Sequence, residues 1–497
     1  MDALLRAAGM IADPQVMLTI LAASFFGLVV GFIPGLTATM ATALLVPFAM
    51  FLDPVAAIAA IVASTAMAIF AGDIPGTLLR LPGTPASAAY VDHSYRLAMS
   101  GRAGEVLGVN LIFSALGGVL GTLVLVLAAP TLADYALSLS SFEFFWLAVL
   151  GLSCAVFVVG DNVAKGAAAL LFGLLLATVG RDYTSGFPRF NFGEPDLLDG
   201  VPFVAALIGF FALPEIIRTM LAPDAKGATP VAQASRIFAG MGRALLRWRW
   251  NFLRSGLLGT TVGALPGAGA DTAAWTSYAV SRRLSKDPEA WNRDSVEGIV
   301  DATSANNAAL SGAWIPALVF AIPGDTITAI AIAVLYMKNV TPGPSIFLEN
   351  AHVLYAVFIT FFVANLLMIP LGWLAIRAAI PILRLPRKIL MAPLLLFACL
   401  GAYSVENSMF GIGVMLACGF IGYWMEENGY PVGPAVLGMV MGRLVEEHLM
   451  TSLIKVQGDV TRFFERPVAT ALALFTLLVW LWPLARWLAR TMRRRAA

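Results

Sequence analysis

Apolar positions in this chain come in long blocks, and the blocks are interrupted at chemically distinctive places. Residues 16–32, 111–129, 353–376 and 469–484 carry no charged side chain and are near or above the ~20 residues that cross a bilayer as a helix. Such runs predict transmembrane helices, whereas a membrane β-barrel would show short segments of alternating polarity. One block breaks in its middle. "GFIPGLTATMATALLVPF" (31–48) sets Gly-x-x-Pro-Gly and a cluster of threonines inside apolar sequence, and "GALPGAGADTAAW" (263–275) repeats the motif.

Composition fixes the class. Of 497 residues, 59% are hydrophobic and 12% charged, against ~25% charged in a soluble domain, so the chain cannot coat a water-facing surface of its size. An all-α polytopic membrane protein is predicted. The opening "MDALLRAAGMIADP" carries Asp2 and Asp13, so a removable signal peptide is not expected. Cys154, Cys399 and Cys418 are scattered in apolar runs and read as core residues. His93, His352 and His448 are isolated, without a chelating pair. A formal net charge of +2 supports no nucleic-acid partner.

Cations are unevenly distributed and predict topology. Segment 221–254 holds Lys226, Arg236, Arg243, Arg247, Arg249 and Arg254 against one acid, Asp224. Segment 377–388 and the tail with Arg490, Arg493, Arg494 and Arg495 are also basic. The positive-inside rule puts all three in the cytoplasm, the C-terminus included.

The basic segment divides the chain into halves that repeat. Pro75 and Pro82-Gly83 recur at one constant offset as Pro316 and Pro323-Gly324, while Pro34 recurs at a slightly smaller offset as Pro266. The smaller offset fits a loop lengthened around "RRLSKDPEAW" in the second half. Expected domains are 1–220 (first transmembrane repeat), 221–254 (basic cytoplasmic connector), 255–465 (second repeat) and 466–497 (C-terminal helix and basic tail). Matched breaks in two halves point to two inverted-topology repeats, whose broken, re-entrant helices meet near the bilayer midplane.

Those breaks define candidate chemistry. Proline and glycine in a bilayer free backbone groups that only protein or a water-filled cavity can satisfy, and a restarting helix offers N–H groups to a carboxylate. "PGTPASA" (82–88) and "PGDTITA" (323–329) read as restarts, with Thr84, Ser87, Asp325, Thr326 and Thr328 in range to cap or to touch ligand, next to Gly83 and Gly324. Pro34, Gly35, Thr37 and Thr39 mark the first break, and Gly267, Gly269, Asp271 and Thr272 the second. Polar positions inside apolar segments add Ser64 and Thr65, then Ser304, Asn306 and Asn307, the adjacent amides being costly to bury unbonded. Candidate Na⁺ ligands are Thr37, Thr39, Asp271, Asn306 and Asn307, with a proton as the other coupling ion considered. Asp271 and Asp325 fit either a cation or a helix cap. Arg80 fits either an anionic substrate or lipid headgroups.

Taken together, "GFIPGLTATMATALL", "IPGTLLRLPGTPASAAYVDHSYRLAMSGRAGEVLG", "LFGLLLATVGRDYTSGFPRFNFG", "GALPGAGADTAAW", "IPGDTITAIAIAVLYMKNVTPGP" and "SLIKVQGDVTRFFERP" resemble the large membrane subunit of bacterial tripartite tricarboxylate transporters. The resemblance implies ten to twelve helices in the inner membrane. It also implies a small four-helix membrane subunit and a periplasmic binding protein delivering a tri- or dicarboxylate, with uptake driven by an ion gradient, usually Na⁺. Carried over by position, its functional loops are 34–39 and 266–272, with tips 82–87 and 323–328. Arg80 stands where the family pattern has a small or amide residue. The chain contains no Gly-x-x-x-x-Gly-Lys-Ser/Thr sequence, in line with a gradient and not ATP as the energy source. A stand-alone carboxylate carrier is the alternative. An intramembrane aspartyl protease would need Gly-x-Gly-Asp, which none of Asp73, Asp161, Asp325 and Asp459 satisfies; an enzyme is not expected.

Overall fold

Helix breaks, more than apolar runs, decide how this chain folds. The computed structural model describes residues 2–33, 35–158, 162–182, 184–221, 237–287, 289, 291, 295–383 and 387–496. In the first half, α1 (Asp2–Ile11) and α2 (Pro14–Phe32) lead to the first break, after which the chain restarts as α3 (Ala38–Ala49). Then come α4 (Pro54–Ala71), α5 (Asp73–Leu79), a single 3₁₀ turn (Ser87–Ala89), α6 (Val91–Leu97) and α7 (Ala103–Ala136). Three more helices, α8 (Ser141–Val158), α9 (Val163–Ala177) and α10 (Phe203–Leu221), precede the connector. The second half runs α11 (Met241–Arg247), α12 (Arg249–Gly263), α13 (Gly269–Leu284), α14 (Glu297–Phe320), α15 (Thr326–Met337), α16 (Ile346–Glu349) and α17 (Ala351–Leu383). It closes with α18 (Arg387–Glu406), α19 (Met409–Glu427), α20 (Val432–Lys455) and α21 (Pro467–Ala496). Among the described residues the only sheet is a two-residue ribbon, Gly180–Arg181 against Pro188–Arg189.

Seven helices among the described residues are long and apolar enough to cross a membrane, so the chain is a multi-pass membrane protein. Runs 16–32, 111–129 and 353–376 lie within them; the fourth run lies in α21, whose apolar part, Pro467–Leu481, is shorter. In the connector, residues 222–236, with Lys226 and Arg236, lie outside the described residues.

Two helices are buried on every side. In α4 all residues from Val55 to Ala71 are buried, and in α14 all from Glu297 to Val319. The first obeys the rule that a helix apolar all round is a core helix. The second carries Ser304, Asn306, Asn307 and Ser311 along the same kind of buried surface, so its position rests on packing and hydrogen bonding rather than hydropathy.

Small residues bring the backbones together, as membrane helix interfaces require. A Cβ at Gly27 or Gly31 of α2 would overlap the carbonyl oxygens of Ser64 or Ala68 in α4. A Cβ at Gly259 or Gly263 of α12 would overlap those of Ala305 or Ala309 in α14. The first glycine pair stands to the second as Pro34 stands to Pro266, and their partners correspond as Pro75 does to Pro316. The ends of the two core helices match as well. Arg80 and Ala321 both adopt the left-handed conformation, φ 60° and 54°, and Leu81 N–H bonds to Pro75 C=O (3.4 Å) as Ile322 N–H does to Pro316 C=O (3.2 Å). A left-handed cap of this kind normally selects glycine. The helices that follow cross between halves, α7 packing along α14 and α17 along α4.

Replacing Gly263 by Ala pushes α12 off α14 and destabilises by about 1–3 kcal/mol. Thermal unfolding in detergent reads the loss, with Gly413→Ala as control, since nothing lies within 4 Å of that added methyl. Equal midpoints for the two variants would refute the close packing.

Candidate substrate and ion site

Each half presents its restarting segments to the other. The first tip is held by a reciprocal pair: Thr84 N–H donates to Ser87 Oγ (3.1 Å) and Ser87 N–H to Thr84 Oγ1 (3.2 Å). The second tip, at the corresponding place in the second half, repeats it. Asp325 N–H donates to Thr328 Oγ1 (2.9 Å) and Thr328 N–H to Asp325 Oδ1 (2.8 Å), a capping box at the start of α15. Both tips sit on small residues of the core helices: Gly83 lies against Gly72, and Gly324 against Ala313.

The other two restarts meet these tips crosswise. Thr37 caps α3 by accepting from Met40 N–H (3.2 Å), and Thr39 Oγ1 lies 3.2 Å from Thr326 Oγ1 in the opposite half. In return, Asp271 Oδ1 of α13 accepts from Ala86 N–H (2.9 Å), and Trp275 Nε1–H donates to Pro85 C=O (3.1 Å). Thr39 and Asp271 follow Pro34 and Pro266 at the same distance along the chain and occupy matching places.

A cavity of about 60 Å³ lies where the four segments converge. Its polar wall is Thr37, Thr39, Thr84, Asp271, Asn306, Asp325 and Thr326, with the Gly269 backbone between. Asp271 is exposed at one side, whereas Asp325 is 8% exposed. Asn306, on α14, is buried and its Oδ1 has no hydrogen-bond partner. Among the described residues, no lysine, arginine or histidine lines the cavity. Carboxylate, amide and hydroxyl oxygens make a hard donor set of the kind that suits a hard cation, and an unpaired buried carbonyl oxygen is one such donor in search of a partner.

Other residues singled out in the sequence lie elsewhere. Pro34 is outside the described residues. Gly35, φ 101°, sits over the carboxylate of Glu215. Ser64 and Thr65 are buried in α4, and Thr65 Oγ1 lies 3.0 Å from Thr42 Oγ1. Ser304 is buried where α7 crosses, its backbone against Gly117, and Asn307 ties α14 to α7 and α17, donating to Ser114 C=O (3.1 Å) and Asn365 Oδ1 (2.9 Å). Gly267 N–H donates to Gly324 C=O (2.7 Å), bracing one restart on the other. Thr272 is half-buried and is not part of the wall. Arg80 pairs with Asp92 (2.7 Å) on the surface, outside the cavity.

Two carboxylates carry more weight in the structure than in the sequence. Asp73 is buried near the cavity, and Glu215, held by Arg218 Nη1 (2.9 Å), backs the first break. The signal for Glu215 is its place in the apolar stretch "FFALPEIIRTML".

The model of the tripartite tricarboxylate transporter TctA family matches residues 17–437. The chain belongs to that family. The TctA family is one of tricarboxylate transporter permeases, not enzymes, and its tripartite systems combine the permease with partner subunits and a substrate-binding protein. Among curated relatives, an uncharacterized 52.8 kDa protein in the TAR-I ttuC' 3' region of Agrobacterium vitis is 31% identical over 446 residues, covering 90% of this chain and 88% of the relative. A second, an uncharacterized protein in the TAR-II ttuC' 3' region of the same organism, is 32% identical over 214 residues, covering 43% of this chain and 88% of the relative. No solved structure matches the TctA chain.

Cap and charge of Asp325 are separable in this TctA protein. Asp325→Ala removes the acceptor for Thr328 N–H and costs about 0.5–2 kcal/mol, whereas Asp325→Asn keeps the cap and costs little. Thermal midpoints in detergent should fall for the first and hold for the second; the reverse order would rule out a capping role.

Proposed function

We propose that this chain is the permease of a binding-protein-dependent tripartite transporter that takes up a tri- or dicarboxylate by symport with Na⁺. The observation that carries the reading is the convergence of two aspartates, threonine hydroxyls and an unpaired amide oxygen on one cavity without a cationic side chain. Asp271 and Asp325 would repel a carboxylate substrate unless a cation stands between. Na⁺ held by Asp271, Asp325, Thr39 and the Asn306 carbonyl offsets one of the two negative charges, and the partial positive charges at the N-termini of α3 and α15 offset roughly the other. Thr37 is occupied as a cap, and Asn307 points away, so neither is assigned to the ion in this conformation.

About 60 Å³ holds a cation and a few waters, far below the ~300–1,000 Å³ of sites for drug-sized ligands. A carboxylate substrate therefore requires the tips to part from α3 and α13. That requirement supports alternating access, in which two inverted repeats with re-entrant breaks open the cavity to one face and then the other. The matching contacts at corresponding places in the two halves support the repeat. In this reading the chain lies in the bacterial inner membrane with its C-terminus in the cytoplasm, beside a small four-helix subunit, and a periplasmic protein delivers the substrate.

Uptake of labelled citrate and other carboxylates into membrane vesicles tests the reading. It should require both a Na⁺ gradient and the added binding protein, and K⁺ should not replace Na⁺. Uptake with neither present would sink it. Asp271→Asn should raise the Na⁺ needed for half-activation by about tenfold or more, equivalent to about 1.4 kcal/mol.

A further inference from the structure

The first half carries a buried carboxyl that the cavity does not account for. Asp73 opens α5 and is 3% exposed. The Tyr90 hydroxyl donates to its Oδ1, and among the described residues no lysine, arginine or histidine pairs with it. The second half has no equivalent, since Trp314 stands at the corresponding position, just before Ile315-Pro316. Tyr90 is 1% exposed and lies within hydrogen-bonding reach of Asn306, whose own Oδ1 is unpaired in the cavity wall. Gly72, preceding Asp73, packs against Thr84 of the same wall.

We propose that Asp73 is a proton-binding site whose occupancy is tied to the cavity through Tyr90 and Asn306. An ionised carboxyl buried in a spanning segment is costly unless a cation or several donors meet it, and here a single neutral hydroxyl does. The proton comes from cavity water and resides on Oδ2, because Oδ1 already accepts from Tyr90. A metal cation does not fit: hard cations of the calcium type take about six or more oxygens, and this place offers one carboxylate and one phenol.

Neighbouring elements bring no competing charge into contact. α2 and α4 carry no ionisable side chain. On α6, Asp92 is engaged with Arg80 at the surface, His93 packs edge-on to Tyr278 and tilted against Trp291, and Tyr95 and Arg96 lie further along. On α7, Glu105 pairs with Arg102, and Asn110 bonds to Thr77. On α17, Arg377 lies over Trp373, Tyr355 packs with Phe358, and His352 lies at the helix start. Across the cavity, Asp271 is an acid and brings no cation to Asp73.

Infrared difference spectroscopy of the purified full chain reads the site directly. Wild type should show the carbonyl stretch of a protonated carboxyl, lost in Asp73→Asn and shifted in frequency in Tyr90→Phe. Adding NaCl, or NaCl with citrate, should perturb the wild-type band. Thermal protection by Na⁺ measured on the same samples tests the cavity separately and should survive Asp73→Asn. A band that persists in Asp73→Asn overturns the assignment, as does an unshifted band in Tyr90→Phe if the first variant fails to fold. A band indifferent to NaCl and citrate overturns the tie to the cavity. Loss of Na⁺ protection in wild type alone would sink only the Na⁺ reading.

Discussion

Every backbone group freed by a helix break inside a membrane has to find a partner, and that constraint organises this protein. The chain interrupts its helices after Phe32, Leu79, Gly263 and Phe320, so it leaves N–H and C=O groups without intrahelical partners. The partners are supplied from within. Side-chain caps close each tip locally, the Gly267 N–H to Gly324 C=O bond closes one break on another, and Asp271 meets Ala86 N–H across the halves. The four restarts converge on one cavity. A site built this way is inexpensive in sequence: a few glycines, prolines and hydroxyls place four loops, and two buried helices support them.

The glycine contacts are the second half of that arrangement. A tip can rest on a core helix only if no side chain intervenes, hence Gly83 on Gly72 and Gly324 on Ala313. The same closeness brings α2 onto α4 and α12 onto α14. Since interiors are packed without slack, the proposed exchange of access would move each tip together with the helix it rests on.

Much of this is legible in the sequence because the relevant rules are local. Pro34-Gly35 and Pro266-Gly267 announce breaks in any context, and the spacing of Pro75 and Pro316 from their Pro-Gly partners fixes the tips. Thr84 and Ser87, Asp325 and Thr328 follow from capping chemistry alone. Less legible are the features set by three-dimensional pairing. Asn306 and Asn307 are adjacent and chemically identical, yet a rotation of about 100° per residue along α14 sends one to the cavity and the other to Asn365. Arg80 reads as fitting either an anionic substrate or lipid headgroups, and its left-handed cap turns it toward Asp92 at the surface. Glu215 sits over Gly35 only because α10 returns from far along the chain.

Charge gives the last constraint. A cavity with Asp271 and Asp325 and no basic side chain is a poor receptor for an anion, while two helix N-termini near it are a good one; the two tendencies oppose each other. Partial charges at helix ends amount to about half an elementary charge each, so α3 and α15 together offset roughly one of the two carboxylates. The remaining negative charge has to be met by something that arrives from solution. A carboxylate approaching the bare wall is repelled, whereas a cation is drawn in and then presents positive charge to the carboxylate that follows. Under the proposed function the cation therefore binds before the substrate, and the substrate, once bound, holds the cation in place. Coupling then needs no dedicated gate residue: it follows from the sign of the charges that the two halves of the chain bring to the cavity.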